Sequence, residues 1–168
     1  MDLIKLFLLG ACGYLLAALY DIALLYKKSW LVRIFFAGFF LTFVPFIFFF
    51  ILYQSPHAVG LRVLLLVLMG LFLLLTLYSV LLELPLHGDG TLYTKGTYSL
   101  CRHPGFLWYS FFTLLTALYF WYAPIVWVCL GYIICNFVLI VIEDVVLFPK
   151  MFPEYEAYKK TTPFLIPF

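Results

Sequence analysis

Charge is what this sequence has least of. Asp, Glu, Lys and Arg make up 11% of its 168 residues, where an average soluble domain carries about 25%. With 67% of the residues hydrophobic and 22% aromatic, no soluble surface closes over the chain without large exposed apolar patches. The shortage of charge therefore excludes a soluble domain and points to an integral membrane protein. A net charge of +2 is too small to suggest a nucleic-acid partner. The four cysteines, Cys12, Cys101, Cys129 and Cys135, lack metal spacing such as Cys-x-x-Cys, so no metal is expected; the three in apolar blocks read as small hydrophobic residues, and Cys101 adjoins Arg102. Also missing are an internal repeat and a low-complexity linker, which leaves one domain over residues 1–168. The glycine-rich strand-to-helix turn of soluble nucleotide-binding folds is absent too.

What the chain does have is long apolar blocks. A helix rising 1.5 Å per residue needs roughly 20 apolar residues to cross the hydrocarbon core. Five blocks approach that length: about 3–26, 31–53, 61–82, 106–122 and 124–148. Each is uniformly apolar rather than alternating, which favours helices over a β-barrel. The expected fold is all-α and integral to the membrane, with about five spans. The first block, Leu3 to Tyr26, is longer than the 7–15-residue apolar core of a cleaved signal peptide, and Lys27-Lys28 closes it as a span. The last two blocks meet at "WYAP" around Pro124 without a charge, which predicts a tight hairpin.

Five spans put Lys27, Lys28, Arg33, Lys95, Arg102, Lys150, Lys159 and Lys160 on one side, and Lys5 and Arg62 on the other. Lysine and arginine accumulate on the cytoplasmic side. The expected topology is N-terminus out and C-terminus in.

Two polar segments then share the cytoplasmic face. Residues 1–82 hold three spans, and residues 83–168 hold both segments. One is the loop from Glu83 to Gly105, "ELPLHGDGTLYTKGTYSLCRHPG", whose Pro85, Gly88, Gly90, Gly96 and Gly105 mark turns. The other, Ile142 to Pro167, begins with Glu143-Asp144 inside an apolar run, where two adjacent carboxylates need a partner or water. Glu154 to Lys160 reads as a short interfacial helix. Pro153 suits its first turn, with acids early and lysines late.

"GTYSLCRHPGF", then "ED" about forty residues on, then "EYEAYKK" and "PFLIP", together resemble the isoprenylcysteine carboxyl methyltransferase family and the related phospholipid N-methyltransferases. The resemblance spans Glu83 to Pro167, about half the chain; the first three spans match only as generic apolar helices. It implies a membrane methyltransferase that uses S-adenosyl-L-methionine and acts on a lipophilic acceptor: a prenylcysteine-like carboxylate, a lipid amine or a thiol. Carried over by position, it implies a cofactor pocket formed by Leu92, Tyr93, Tyr98, His103, Pro104 and Phe106, closed by Glu143, with Arg102 and Glu143 as catalytic residues. The family commonly has Gln where Glu83 stands, and Asp144 replaces the second Glu of its acidic pair.

The residue types suit that chemistry on their own. Tyr and Phe hold a sulfonium by cation–π attraction, worth about 0.5–2 kcal/mol each. A carboxylate takes the ammonium of the cofactor's amino-acid tail, and His and Arg donate to its carboxylate or ribose. Methyl transfer to a nucleophilic acceptor depends chiefly on alignment. The isoprenylcysteine enzymes place an arginine one helical turn before the Glu, and that position is Leu139 here; this weighs against a prenylcysteine substrate.

Other readings compete. A sterol- or steroid-type reductase that binds NADPH shares an Arg-His-Pro-like motif but needs more basic residues than Lys95 and Arg102 for the 2′-phosphate. A non-enzymatic membrane protein is the third possibility. Arg102 and His103 also suit interfacial anchoring. Asp21, inside the first span, is expected to pair with Lys27, Lys28 or Arg33. His57, Arg62 and His87 are expected to be bland.

Overall fold

The computed structural model describes residues 2–83 and 91–166, and all of their regular structure is helical. Pro85, His87, Gly88 and Gly90 lie outside the described residues. Among those described are nine α-helices: α1 Leu3–Leu25, α2 Ser29–Phe35, α3 Ala37–Leu41, α4 Val44–Leu52, α5 Val59–Leu77, α6 Pro104–Phe120, α7 Ala123–Ile142, α8 Phe148–Met151 and α9 Tyr155–Thr161. Two π-helical turns extend the long helices, Tyr78–Glu83 after α5 and Glu143–Leu147 between α7 and α8. In hydrocarbon each backbone group must be satisfied within its own segment, which is why these apolar runs become helices.

Four stretches are long and apolar enough to cross a membrane: Leu3–Leu25, Ser29–Leu52, Val59–Glu83 and Ala123–Met151. The block expected at 106–122 forms α6, whose 17 residues rise about 25 Å, short of the roughly 20 residues a span needs. The α6–α7 hairpin is as tight as expected: Trp121 takes a left-handed conformation at φ 44°, and α7 begins at Ala123.

The second apolar block is a broken helix. Pro45 has no N–H to give, and the ladder tightens around it to three-residue bonds, Phe43 N to Phe40 O and Phe46 N to Phe43 O. At the end of α1, Lys27 turns left-handed (φ 54°). Its N–H bonds Leu24 O, and the N–H of Lys28 bonds Ala23 O, the paired closure that satisfies a helix's last carbonyls.

Helix α1 packs on α2–α4 and on α7, while α5 and α6 pack side by side. The α1–α3 approach is close: a Cβ on Gly38 would lie 2.8 Å from Gly13 O and 2.9 Å from Ala17 N. Polar ties replace a hydrophobic driving force between helices. The Tyr14 hydroxyl donates to Tyr109 Oη at 2.6 Å, and Tyr132 donates to Leu6 O at 2.6 Å. Phe46, Phe112 and Tyr109 interlock beside them. Outside, Leu64, Val67, Leu71 and Leu74 of α5 are exposed, a face suited to lipid tails. The C-terminal helix starts one residue later than expected: Glu154 is its N-cap, and Pro153 precedes the cap rather than occupying the first turn.

Candidate functional site

Glu83 and the two acidic residues of the later segment sit in the π-helical turns, where the wider spiral re-aims side chains and a straight α-helix would not. Glu83 is 2% exposed. It accepts hydrogen bonds from the N–H of Thr97 at 2.9 Å, from the Thr97 hydroxyl and from Tyr93 Oη. This carboxylate is a structural tie that pins the Gly96–Ser99 turn to the end of α5. Gly96 stands at φ 57°, and a Cβ there would collide with Glu83 Oε1. The glycine of the "GTY" motif is thus required by an approach as well as by a turn.

The turn delivers Tyr98 and Tyr93, whose rings meet edge to face at 5.9 Å. The Tyr98 carbonyl accepts from the Tyr158 hydroxyl of α9. Burial holds the Tyr98, Tyr155 and Tyr158 phenols above their ordinary range, so each is a neutral donor at pH 7.

Arg102 turns toward Asp144: Nη1 lies 2.7 Å from Oδ1, with both side chains about nine-tenths buried. The Tyr155 hydroxyl donates to that same Oδ1 at 2.6 Å, and Lys159 Nζ stands 3.9 Å from Oδ2. The Arg102 guanidinium also covers the Phe164 ring at 5.4 Å, and its backbone N–H bonds Pro163 O. Asp144 therefore binds the motif turn, the last long helix and the C-terminal segment into one body. Two guanidinium nitrogens of Arg102, Nε and Nη1, have no directed hydrogen bond among the described residues.

His103 stacks on Phe148 (5.9 Å, 11° between planes) and meets Phe164 edge-on at 5.1 Å. Nδ1 lies 3.5 Å from Glu143 Oε2, and Nε2 lies 3.5 Å from Asp144 Oδ1, too long to satisfy it. Burial lowers the His103 pKa below 6.5; Asp144 opposes the shift and Arg102 reinforces it. The imidazole is neutral at pH 7. Because the folded value is the lower one, the unfolded chain takes up the proton first as pH falls. His103's share of the folding stability is expected to be intact above pH 6.5 and to decline below it. Comparing pH profiles of unfolding for wild type and His103→Gln checks this.

Glu143 faces the other way, toward Asp21 of α1. Both line a cavity of about 490 Å³, within the range of small-molecule sites. Leu92, Tyr93, Tyr98, Arg102, His103, Phe106 and Glu143 all line it. Pro104 does not. It is buried at the first position of α6, where a proline starts a helix without losing a bond, and Gly105 takes the wall position.

Sequence reasoning missed four contributors. Asp21 was expected to pair with Lys27, Lys28 or Arg33, but all three are exposed, and the carboxyl lines the cavity with Tyr14, Ala17 and Leu24 at the spacing of one helix face. Asn136, the chain's single asparagine, also lines it; a lone amide in an apolar run is a visible signal. Tyr155 and Tyr158 join the wall, and the Tyr-x-x-Tyr spacing was their clue. Leu139, one turn before Glu143, is buried against the same cavity. On the far side, His57 Nε2 lies 2.7 Å from Leu118 O, a structural contact at a helix end.

The residues fit the expected cofactor. Arg102 Nε and His103 Nε2, which have no hydrogen-bond partner among the described residues, can donate to a carboxylate or ribose, Tyr93 and Tyr98 offer ring faces, and Glu143 offers a carboxyl for an ammonium. Among the described residues no His, Cys, Asp and Glu group has the makings of a metal site. Comparison with family models, with curated proteins and with solved structures finds no match for this chain.

Proposed function

We propose that this chain is an S-adenosyl-L-methionine-dependent membrane methyltransferase acting on a lipophilic acceptor. One observation carries the proposal. The two polar segments, forty residues apart in sequence, meet at His103 and Glu143 (3.5 Å) on a single cavity that is also lined by Tyr14 and Ala17 of α1 and by the phenylalanines of α2–α4, an apolar arm. Bound there, the cofactor supplies an electrophilic methyl group. Glu143 takes its ammonium, His103 and Arg102 donate to its carboxylate or ribose, and Tyr93 and Tyr98 face its ring or sulfonium. The lining phenols are neutral, and the proposed work is positioning rather than covalent catalysis. The acceptor's hydrocarbon enters along Phe36, Phe39, Phe40 and Phe43. The excess of Lys and Arg on the motif's side supports a cytoplasmic site with the N-terminus out.

Calorimetry of the purified protein against S-adenosylmethionine, S-adenosylhomocysteine and NADPH tests the proposal. Binding of the first two and not the third is expected, because Arg102 is the one Lys or Arg among the described lining residues, too little positive charge for a 2′-phosphate. His103→Ala and Glu143→Ala are each expected to weaken cofactor binding at least about tenfold, the loss of one charge-assisted contact, with expression unchanged. Wild-type affinity in both variants refutes the pocket assignment. NADPH binding alone makes the protein a reductase. Labelled-methyl transfer into a lipid extract then names the acceptor.

A further inference from the structure

The first three helices carry nothing of the resemblance, yet α1 places a carboxyl in the cavity. Asp21 is 8% exposed and is the one charged residue on the α1 face formed by Tyr14, Ala17, Asp21 and Leu24. Asp21 shares the cavity lining with Glu143, and with Tyr14, Ala17 and the phenylalanines of α2–α4, which form its apolar arm. Among the described lining residues Arg102 is the only Lys or Arg, and it is paired with Asp144 at 2.7 Å. The cavity thus holds a second carboxyl, beyond Glu143, with no free Lys or Arg among the described lining residues. Leu139 adds only hydrocarbon.

Buried carboxyls without a counter-charge are costly and mark sites for a cationic or hydrogen-donating partner. Resting on the proposed function, and deepening it, we propose that Asp21 is a specificity-determining residue: it holds the nitrogen of a lipophilic amine whose hydrocarbon fills the apolar arm. The opposite acceptor chemistry fails on charge. A carboxylate in this arm would face Asp21 and Glu143 with no free cation, a like-charge arrangement in low dielectric. A thiol gains nothing from a carboxylate neighbour. For an amine that arrives as ammonium, Asp21 also takes the surplus proton: the N–H bond breaks, its electron pair remains on nitrogen as the nucleophilic lone pair, and the carboxylate becomes a carboxylic acid.

The test uses the full chain in nanodiscs of zwitterionic lipid and three photoreactive probes with the same diazirine-bearing alkyl chain, ending in an amine, a carboxylate or a thiol. Crosslinked peptides are read by mass spectrometry, and S-adenosylhomocysteine binding is measured in parallel. The amine probe is expected to label peptides containing Tyr14 to Asp21 or Phe36 to Phe43, above the other two probes. Asp21→Asn is expected to cut that labelling about tenfold or more, and Asp21→Glu restores the amine preference. Leu139→Arg is expected to shift labelling from amine to carboxylate, which keeps the test open if Asp21→Asn fails to fold. Equal labelling by all three probes, or wild-type amine labelling in Asp21→Asn, overturns the assignment. Amine labelling without any S-adenosylhomocysteine binding leaves the amine subsite standing and removes the methyltransferase function.

Discussion

Asp144→Ala is expected to destabilise the folded protein by about 3–5 kcal/mol, the usual result of breaking a buried ion pair from one side. The loss comes from what is left behind. Arg102 remains buried with no counter-charge, and the Tyr155 hydroxyl loses its acceptor. Against the 5–15 kcal/mol that holds a typical domain together, this is a large share. Thermal unfolding in bicelles, with protease sensitivity around the motif turn, measures it. Asp144→Asn keeps an acceptor oxygen for Tyr155 and is expected to lose less. The double variant Arg102→Met with Asp144→Leu removes both charges and is expected to recover most of the loss, because replacing a buried pair with hydrocarbon is often neutral. A single variant within about 0.5 kcal/mol of wild type, the range of an ordinary surface change, contradicts the role of Asp144 as a tie.

Gly96→Ala acts through a different term. A left-handed alanine costs about 1–2 kcal/mol, and driving its Cβ into a packed contact adds about 1–3, so a loss of about 2–5 kcal/mol is expected. The damage is local first: the turn carrying Tyr93 and Tyr98 must shift off Glu83. Cofactor affinity is therefore expected to fall further than global stability alone explains. Glu83→Ala opens the space but deletes the acceptor for both Thr97 donors. With the two residues in contact, the double variant is expected to cost less than the sum of the singles. Strict additivity would show that the collision is relieved elsewhere.

How much of this was legible without coordinates differs by element. The apolar blocks identify themselves, because crossing hydrocarbon demands length and composition and little else. The fourth block fell short for a reason visible in outline: Pro104 opens its helix and the left-handed Trp121 closes it, leaving 17 residues. Helix rotation was not legible. In a lipid-embedded helix the face toward protein and the face toward tails are equally apolar, so hydropathy does not tell them apart. That is why Asp21 was assigned to nearby lysines and arginine by proximity in sequence, while its partner Glu143 came from the other end of the chain. The π-helical turns were hidden as well, since one wider turn leaves no compositional mark. They decide that Glu83 points at the motif turn, whereas Glu143 and Asp144 part company, one toward α1 and one toward Arg102.

The tail segment around Phe164 bears on when the site comes into being. Its ring lies against His103 and Arg102, and the Pro163 carbonyl takes the Arg102 N–H. Because synthesis runs from the N-terminus, the helices can insert one after another before Phe164 is in place against His103 and Arg102. Insertion and the bracing of Arg102 and His103 are thus separate events in the life of each molecule, and a chain stalled before Pro163 inserts without that brace.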